Sequence, residues 1–147
     1  MDRTLLAALA TVAVGSLIAL QAPINSGLGK AVGTLPAAAI SFTIGTILLL
    51  GLVTVSGNLG DISDAANVRW YYLLGGLLGA AYVTTVLLTV RTLGAGGVTA
   101  ATVAGQLSAS LVIDRIGMLG LEETPITLTR VIGVVLLFAG TVLVIRT

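Results

Sequence analysis

Apolar residues fill this chain in long uninterrupted runs, and polar ones gather in a few short places between them. The Asp, Glu, Lys and Arg side chains form six patches: Asp2 and Arg3; Lys30; Asp61, Asp64 and Arg69; Arg91; Asp114 to Arg130, with Arg115, Glu122 and Glu123 inside it; and Arg146. Five charge-free stretches lie between them. A bilayer core is about 30 Å thick and is crossed by roughly 20 apolar residues in a helix. Four stretches reach that length. The fifth, Val131 to Ile145, reaches it if Thr127, Leu128 and Thr129 join it and Arg130 snorkels towards the headgroups. The pattern predicts transmembrane helices at about 4–24, 35–56, 70–90, 93–113 and 129–145. Gly57-Asn58-Leu59-Gly60 and Glu122-Glu123-Thr124-Pro125 supply turn chemistry, and such short connections make neighbouring helices antiparallel. The expected fold is an all-α integral membrane protein, a single five-helix transmembrane domain over 1–147, with no internal sequence repeat.

Within the spans, polar residues keep to faces. In helix four Thr99, Thr102, Gln106 and Ser110 recur at steps of three and four and share one face. Gly97, Ala101, Gly105 and Ser108 lie opposite, and small residues four apart let helix backbones approach closely in lipid. The small face is expected to pack on another helix and the polar face to point at a cavity or a partner. Helix three sets Tyr82, Thr85 and Thr89 on one stripe, with Gly75 and Gly79 one and two turns before Tyr82. Two readings stay open for it: a lumen face, or threonines bonded to their own backbone with Tyr82 near the interface. The sharpest local signal is Gln21-Ala22-Pro23-Ile24-Asn25-Ser26-Gly27-Leu28-Gly29-Lys30. Pro23 deletes a backbone donor and crowds the carbonyl four residues earlier, so the helix should kink or stop there. Gln21 and Asn25 flank the break on one face. Freed carbonyls beside two amides are how broken helices in transporters build sites; the alternative is a helix that ends at Pro23 in water.

Composition sharpens the class. The chain is 56% hydrophobic and 9% charged, against about 25% charged in soluble domains, which excludes a water-soluble globule. There is no Cys or His, hence no disulfide framework, thiolate or imidazole metal site. A net charge of +1 offers no basic stripe for nucleic acid. No cofactor motif survives inspection. A phosphate loop would need Gly at Ile24 and Ser or Thr at Ala31, and Gly94-Ala95-Gly96-Gly97 lacks the dinucleotide spacing and its acidic partner. No paired carboxylates lie within a span, so an enzyme is not expected. The run from Thr4 to Leu20 exceeds a signal-peptide core and lacks a clean cleavage site, so it is read as helix one.

Orientation follows the Lys and Arg bias of short loops. Five crossings place Arg3, Arg69, Arg115 and Arg130 on the N-terminal side, and Lys30, Arg91 and Arg146 on the other. A four-to-three split barely instructs insertion, so the chain is expected in both orientations, as an antiparallel homodimer with two-fold inverted symmetry. Discounting Arg91 would instead leave an N-terminus-inside bias in a parallel or monomeric protein.

Four segments carry a family resemblance: Gln21 to Lys30, Ile40-Ser41-Phe42-Thr43-Ile44-Gly45-Thr46, Gly75-Gly76-Leu77-Leu78-Gly79-Ala80, and Ala104 to Asp114. They resemble the YdcZ-type branch of the drug/metabolite transporter superfamily. The resemblance spans helices one to four and implies a prokaryotic inner-membrane exporter, occurring as short or fused double-length chains. In size and expected antiparallel pairing the chain also resembles the small multidrug resistance transporters. Those carry a glutamate within helix one that exchanges protons for a cationic drug, and here helix one has no carboxylate. Simple proton/cation antiport is therefore not expected. Asp114, at the end of helix four, is the one candidate for coupling, although its neighbour Arg115 points to an interfacial ion pair.

The expected function is alternating-access transport of a polar or small ionic solute, with Gln21, Asn25, Ser41, Tyr82, Gln106 and Ser110 lining a central cavity. Amides and hydroxyls fit such a solute better than a lipophilic cation, which calls for an anionic or aromatic box. The expected partners are the bilayer, a second copy and the solute. A small dimeric channel and a non-transporting assembly subunit are the alternatives.

Overall fold

The computed structural model describes residues 2–117 and 121–146, and every regular element among them is helical. Helix α1 spans Arg3–Val32. Asp2 caps it, accepting the Thr4 amide at 3.2 Å and satisfying one of the donors a helix start leaves open. The polarity pattern predicts an end near residue 24, yet the helix runs through Pro23 to Val32. Proline withholds the amide that would reach the Ala19 carbonyl, Gly27 and Gly29 keep helical backbone, and the first left-handed residue is Gly33. There φ is 91° and ψ 161°, a region open in practice only to glycine, and the chain turns. Helix α2, Thr34–Val55, starts at the next residue. Its 22 residues make it about 33 Å long at 1.5 Å per residue, the thickness of a bilayer core.

Two 3₁₀ segments follow, Leu59–Asn67 and Trp70–Leu73, so the first turn predicted for helix three is 3₁₀ rather than α. Aromatic residues with little helix preference crowd it. Arg69 Nη1 donates to the Tyr71 hydroxyl at 2.9 Å, and the Tyr71 and Tyr72 rings lie 4.6 Å apart. Trp70 is 72% exposed, as suits an aromatic anchor at the headgroups. From Leu74 to Ile116 the backbone is helical except at Gly94, where φ is 69° and ψ 168°. That break separates α3, residues 74–93, from α4, residues 95–116. Helix α3 passes beyond its predicted end at residue 90, because Arg91 and Thr92 are good enough helix residues and only Gly94 forces the turn. Helix α5 is Leu128–Ile145, with the Thr127 hydroxyl accepting the Arg130 amide at 3.4 Å.

The chain divides into two compact units, Met1–Arg91 and Thr92–Thr147. In the first, α1 and α2 form an antiparallel hairpin about Gly33: Asn25 meets Ser41, and Gly29 lies against Ala37. Helix α3 closes on this hairpin through a small core of Ala37, Ala38, Val83 and Leu87, with Leu28 and Tyr82 against it. In the second unit α4 and α5 are antiparallel. A Cβ on Gly97 would lie 3.3 Å from Ile145 Cγ1, and one on Gly96 3.7 Å from Val144 Cγ1. Thr141 is buried and its Oγ1 lies 3.1 Å from the Ala100 carbonyl and 2.7 Å from that of Leu137, sharing its proton between the two helices. Small residues and an interhelical hydroxyl are the means of association expected where lipid removes the hydrophobic drive between helices. The remaining surface is apolar. In α1, α2 and α5 only 6% of the span is buried within the chain, which leaves the rest to lipid or to other protein.

Candidate solute site on the first hairpin

One face of α1 carries Gln21, Asn25 and Gly29 at intervals of four, and one face of α2 carries Ser41, Gly45 and Leu49 at the same interval. The hairpin register brings the two faces together. Among the Ser and Thr hydroxyls of the first unit that donate a hydrogen bond, Ser41 is the exception. Thr43 donates to Ala39, Thr54 to Leu50, Thr85 to Ala81, and Thr89 chiefly to Thr85, the self-bonding usual for such residues in a helix. Ser41 instead donates across the hairpin to Asn25 Oδ1 at 3.2 Å. Asn25 is only 6% exposed. Its Nδ2 has no other partner, yet no buried side-chain nitrogen or oxygen among the described residues is left unsatisfied. That nitrogen therefore keeps some accessible surface.

Beside this pair a cleft of about 220 Å³ opens between Gln21 on α1 and Ser41, Phe42, Gly45, Thr46 and Leu49 on α2. Gly45 sits at the midpoint of α2, so the cleft lies near the middle of the span. Gln21 and Thr46 direct free polar groups to it, and Phe42 and Leu49 supply apolar wall. Phe42 also backs onto α3, its ring 3.5 Å from where a Gly79 Cβ would be. Sequence reasoning reached Gln21, Asn25 and Ser41 but missed Gly45 and Leu49, which follow from the four-residue interval only once Ser41 is known to face α1, and Phe42 and Thr46, which lie one residue further round the same helix. It missed Gly29 too. A Cβ there would come within 3.1 Å of Leu87 Cδ2 and 3.4 Å of an Arg91 guanidinium nitrogen; the interval from Asn25 was the available signal.

The other proposed residues are placed as follows. Tyr82 is half-buried against the α2–α3 core. Gly75 and Gly105 have open space for 4 Å around the point where a Cβ would lie, and Ala101 is exposed. Gln106, Ser110 and Asp114 belong to the second unit. There Gln106 is exposed, while Ser110 donates to its own Leu107 carbonyl at 2.9 Å. Asp114 pairs with Arg130, at 3.3 Å, rather than with Arg115, which reaches Glu123 at 3.9 Å. Consecutive helical residues point about 100° apart, so only Asp114 faces the start of α5. Its carbonyl also accepts the Thr124 amide at 2.8 Å.

Helices of bilayer length with exposed apolar surface define a multi-pass membrane protein, and neutral polar groups gather on a mid-span cleft of its first hairpin. The chain belongs to the family described as "Putative inner membrane exporter, YdcZ", whose sequence model matches residues 6–143. It is thus a multi-pass inner-membrane protein of a transporter family, a non-enzymatic kind. No curated protein and no solved structure matches it.

Proposed function

We propose that this protein exports a polar or small ionic solute by alternating access, and that the cleft between α1 and α2 forms part of its binding cavity. The observation that carries the reading is the mid-span cleft, where the Gln21 amide and Thr46 hydroxyl stand unpaired beside the Asn25–Ser41 bond. Unpaired polar groups cost free energy in an apolar medium unless a partner or water serves them. Solute pockets commonly measure roughly 300–1,000 Å³, and one chain supplies about 220 Å³. Two copies related by an axis in the membrane plane would present two such clefts to one cavity, with the logic of inverted repeats. The antiparallel homodimer accounts for that shortfall and for the four-to-three division of basic residues. A coupling role for Asp114 requires its pair with Arg130 to open in each cycle.

Purified protein in liposomes tests the reading. Saturable solute flux that is lost in Gln21→Ala combined with Asn25→Ala is the expected result. Ion currents far above the roughly 10³ events per second of a millisecond conformational cycle would assign a channel instead. Solute binding unchanged by Asn25→Ala with Gln106→Ala would favour a non-transporting subunit.

A further inference from the structure

The connection between α2 and α3 is patterned along its length. Its first 3₁₀ segment, Leu59–Asn67, holds nine residues, whereas runs beyond three or four are uncommon because the hydrogen-bond geometry is poor. None of its residues is buried, and positions 54–70 are all exposed. Packing within the chain therefore does not account for so long a segment.

A 3₁₀ helix has three residues per turn, so side chains three apart eclipse and the surface falls into three ridges. Here each ridge has its own chemistry. Leu59, Ile62 and Ala65 form the first, continued by Val68 at the C-cap; Asp61, Asp64 and Asn67 form the second; Gly60, Ser63 and Ala66 form the third. Ser63 fits this register, its hydroxyl donating to the Gly60 carbonyl at 2.8 Å. The apolar ridge is open, with Leu59 52%, Ile62 48% and Val68 45% exposed. Neither aspartate has a basic partner among the described residues.

What the apolar ridge meets follows from where the connection is tied. It leaves α2 at the exposed Leu52 and Val55 and enters α3 through the exposed Trp70, Tyr72 and Leu73. Both ends are thus held at the bilayer, and tryptophan and tyrosine favour the headgroup level. The ridge is continuous along the chain with apolar side chains on either side of it. Three large side chains in a row fall far short of the roughly 800 Å² that a stable protein interface takes from each partner. Lipid asks for less: a segment with one apolar stripe and a charged face, tethered beside a bilayer, lies in the interface plane.

We infer that Leu59–Asn67 binds the membrane surface, with Leu59, Ile62, Ala65 and the adjoining Val68 in the boundary between headgroups and acyl chains and with Asp61 and Asp64 in water. The α2–α3 connection is then a lipid-contact strip about 18 Å long, at about 2.0 Å per residue, and not a free loop. This placement holds whatever the α1–α2 cleft binds.

The chain has no cysteine, so single cysteines in place of Leu59, Ile62, Ala65 and Val68, and of Asp61, Asp64 and Asn67, can each carry a nitroxide in the full-length protein. In phosphatidylcholine liposomes each label is read by its collisions with oxygen, which concentrates in lipid, and with a nickel chelate, which stays in water. The expected oxygen-to-nickel ratio is several-fold higher at the ridge positions than at the polar ones and rises and falls every three residues. Leu59→Ser with Ile62→Ser should remove the oxygen preference of a label at Ala65, while Asp61→Ser with Asp64→Ser leaves it. Trp70, the one tryptophan, gives a label-free check, since brominated phosphatidylcholine should quench its fluorescence. Nickel access at every position, a ratio without the three-residue period, an Ala65 label unmoved by the Leu59 and Ile62 substitutions, or an unquenched Trp70 overturns the proposal. Ridge labels closed to both reagents and broadened by a neighbouring nitroxide also overturn it, assigning the ridge to a second copy.

Discussion

Single atoms decide how the helices of the first unit meet. Gly29 has no room for a large side chain, because a carbon on it already lies 3.1 Å from Leu87 Cδ2 and Leu87 is fully buried. Gly29→Leu should therefore separate α1 from α3 and cost more than about 3 kcal/mol, at or beyond the range of overpacked cores, visible as loss of folded protein in detergent. Ser41→Ala acts differently. It frees Asn25 Oδ1 at the edge of the cleft, where water can replace the lost donor. Unfolding in denaturant should show a loss of only about 0.6–1 kcal/mol, while solute binding falls because Asn25 is no longer oriented. Of the site residues, Gln21, Asn25 and Ser41 were legible because polar groups in an apolar run are conspicuous. Phe42, Leu49 and Gly29 were not, because an apolar or absent side chain looks the same whether it faces lipid or a cleft.

Among the elements, two glycines replace what would elsewhere be loops. Gly33 and Gly94 adopt nearly the same backbone, φ 91° and ψ 161° against φ 69° and ψ 168°, and each ends one membrane helix and lets the next begin. An alanine there is forced into a region that costs about 1–3 kcal/mol. Gly33→Ala and Gly94→Ala should each lower unfolding stability by that amount, whereas Gly15→Ala, inside α1 with open space around it, should be neutral or stabilising. Of the two outcomes Pro23 allows, a kink or a stop, the structure excludes the stop: Pro23 removes one hydrogen bond from α1 without ending it. Gly33 was under-read, because one glycine among 19 carries no mark of the backbone angles it will take.

For the whole molecule, five crossings would put the two termini on opposite sides of the membrane, and seven basic residues split four to three would leave either orientation open. Tags at both termini should each be accessible from both faces in a population of molecules. Adding two lysines after Arg146 should shift that population towards one orientation, since basic residues near a span end set topology. A single exclusive orientation in the unaltered protein would end the antiparallel arrangement. Transport lost in the lysine-biased chain alone, and restored by co-expression of an oppositely biased copy, is the expected signature of a two-way dimer.

By itself the sequence determined that the chain spans a membrane, roughly where its apolar helices lie, though not the end of α1 at Val32, and that its mid-span chemistry is neutral. Charge is costly in hydrocarbon and apolar length must match bilayer thickness, so these facts are written in composition and spacing alone. The tertiary structure decided which polar groups serve the helix and which serve a neighbour. Ser41 turns to Asn25 while Thr43 turns to its own backbone, Asp114 selects Arg130 over Arg115, and Arg91 comes to rest on Gly29. Each choice depends on the register of two helices across one or two glycine positions, and register is a property of the packed pair that neither helix carries alone.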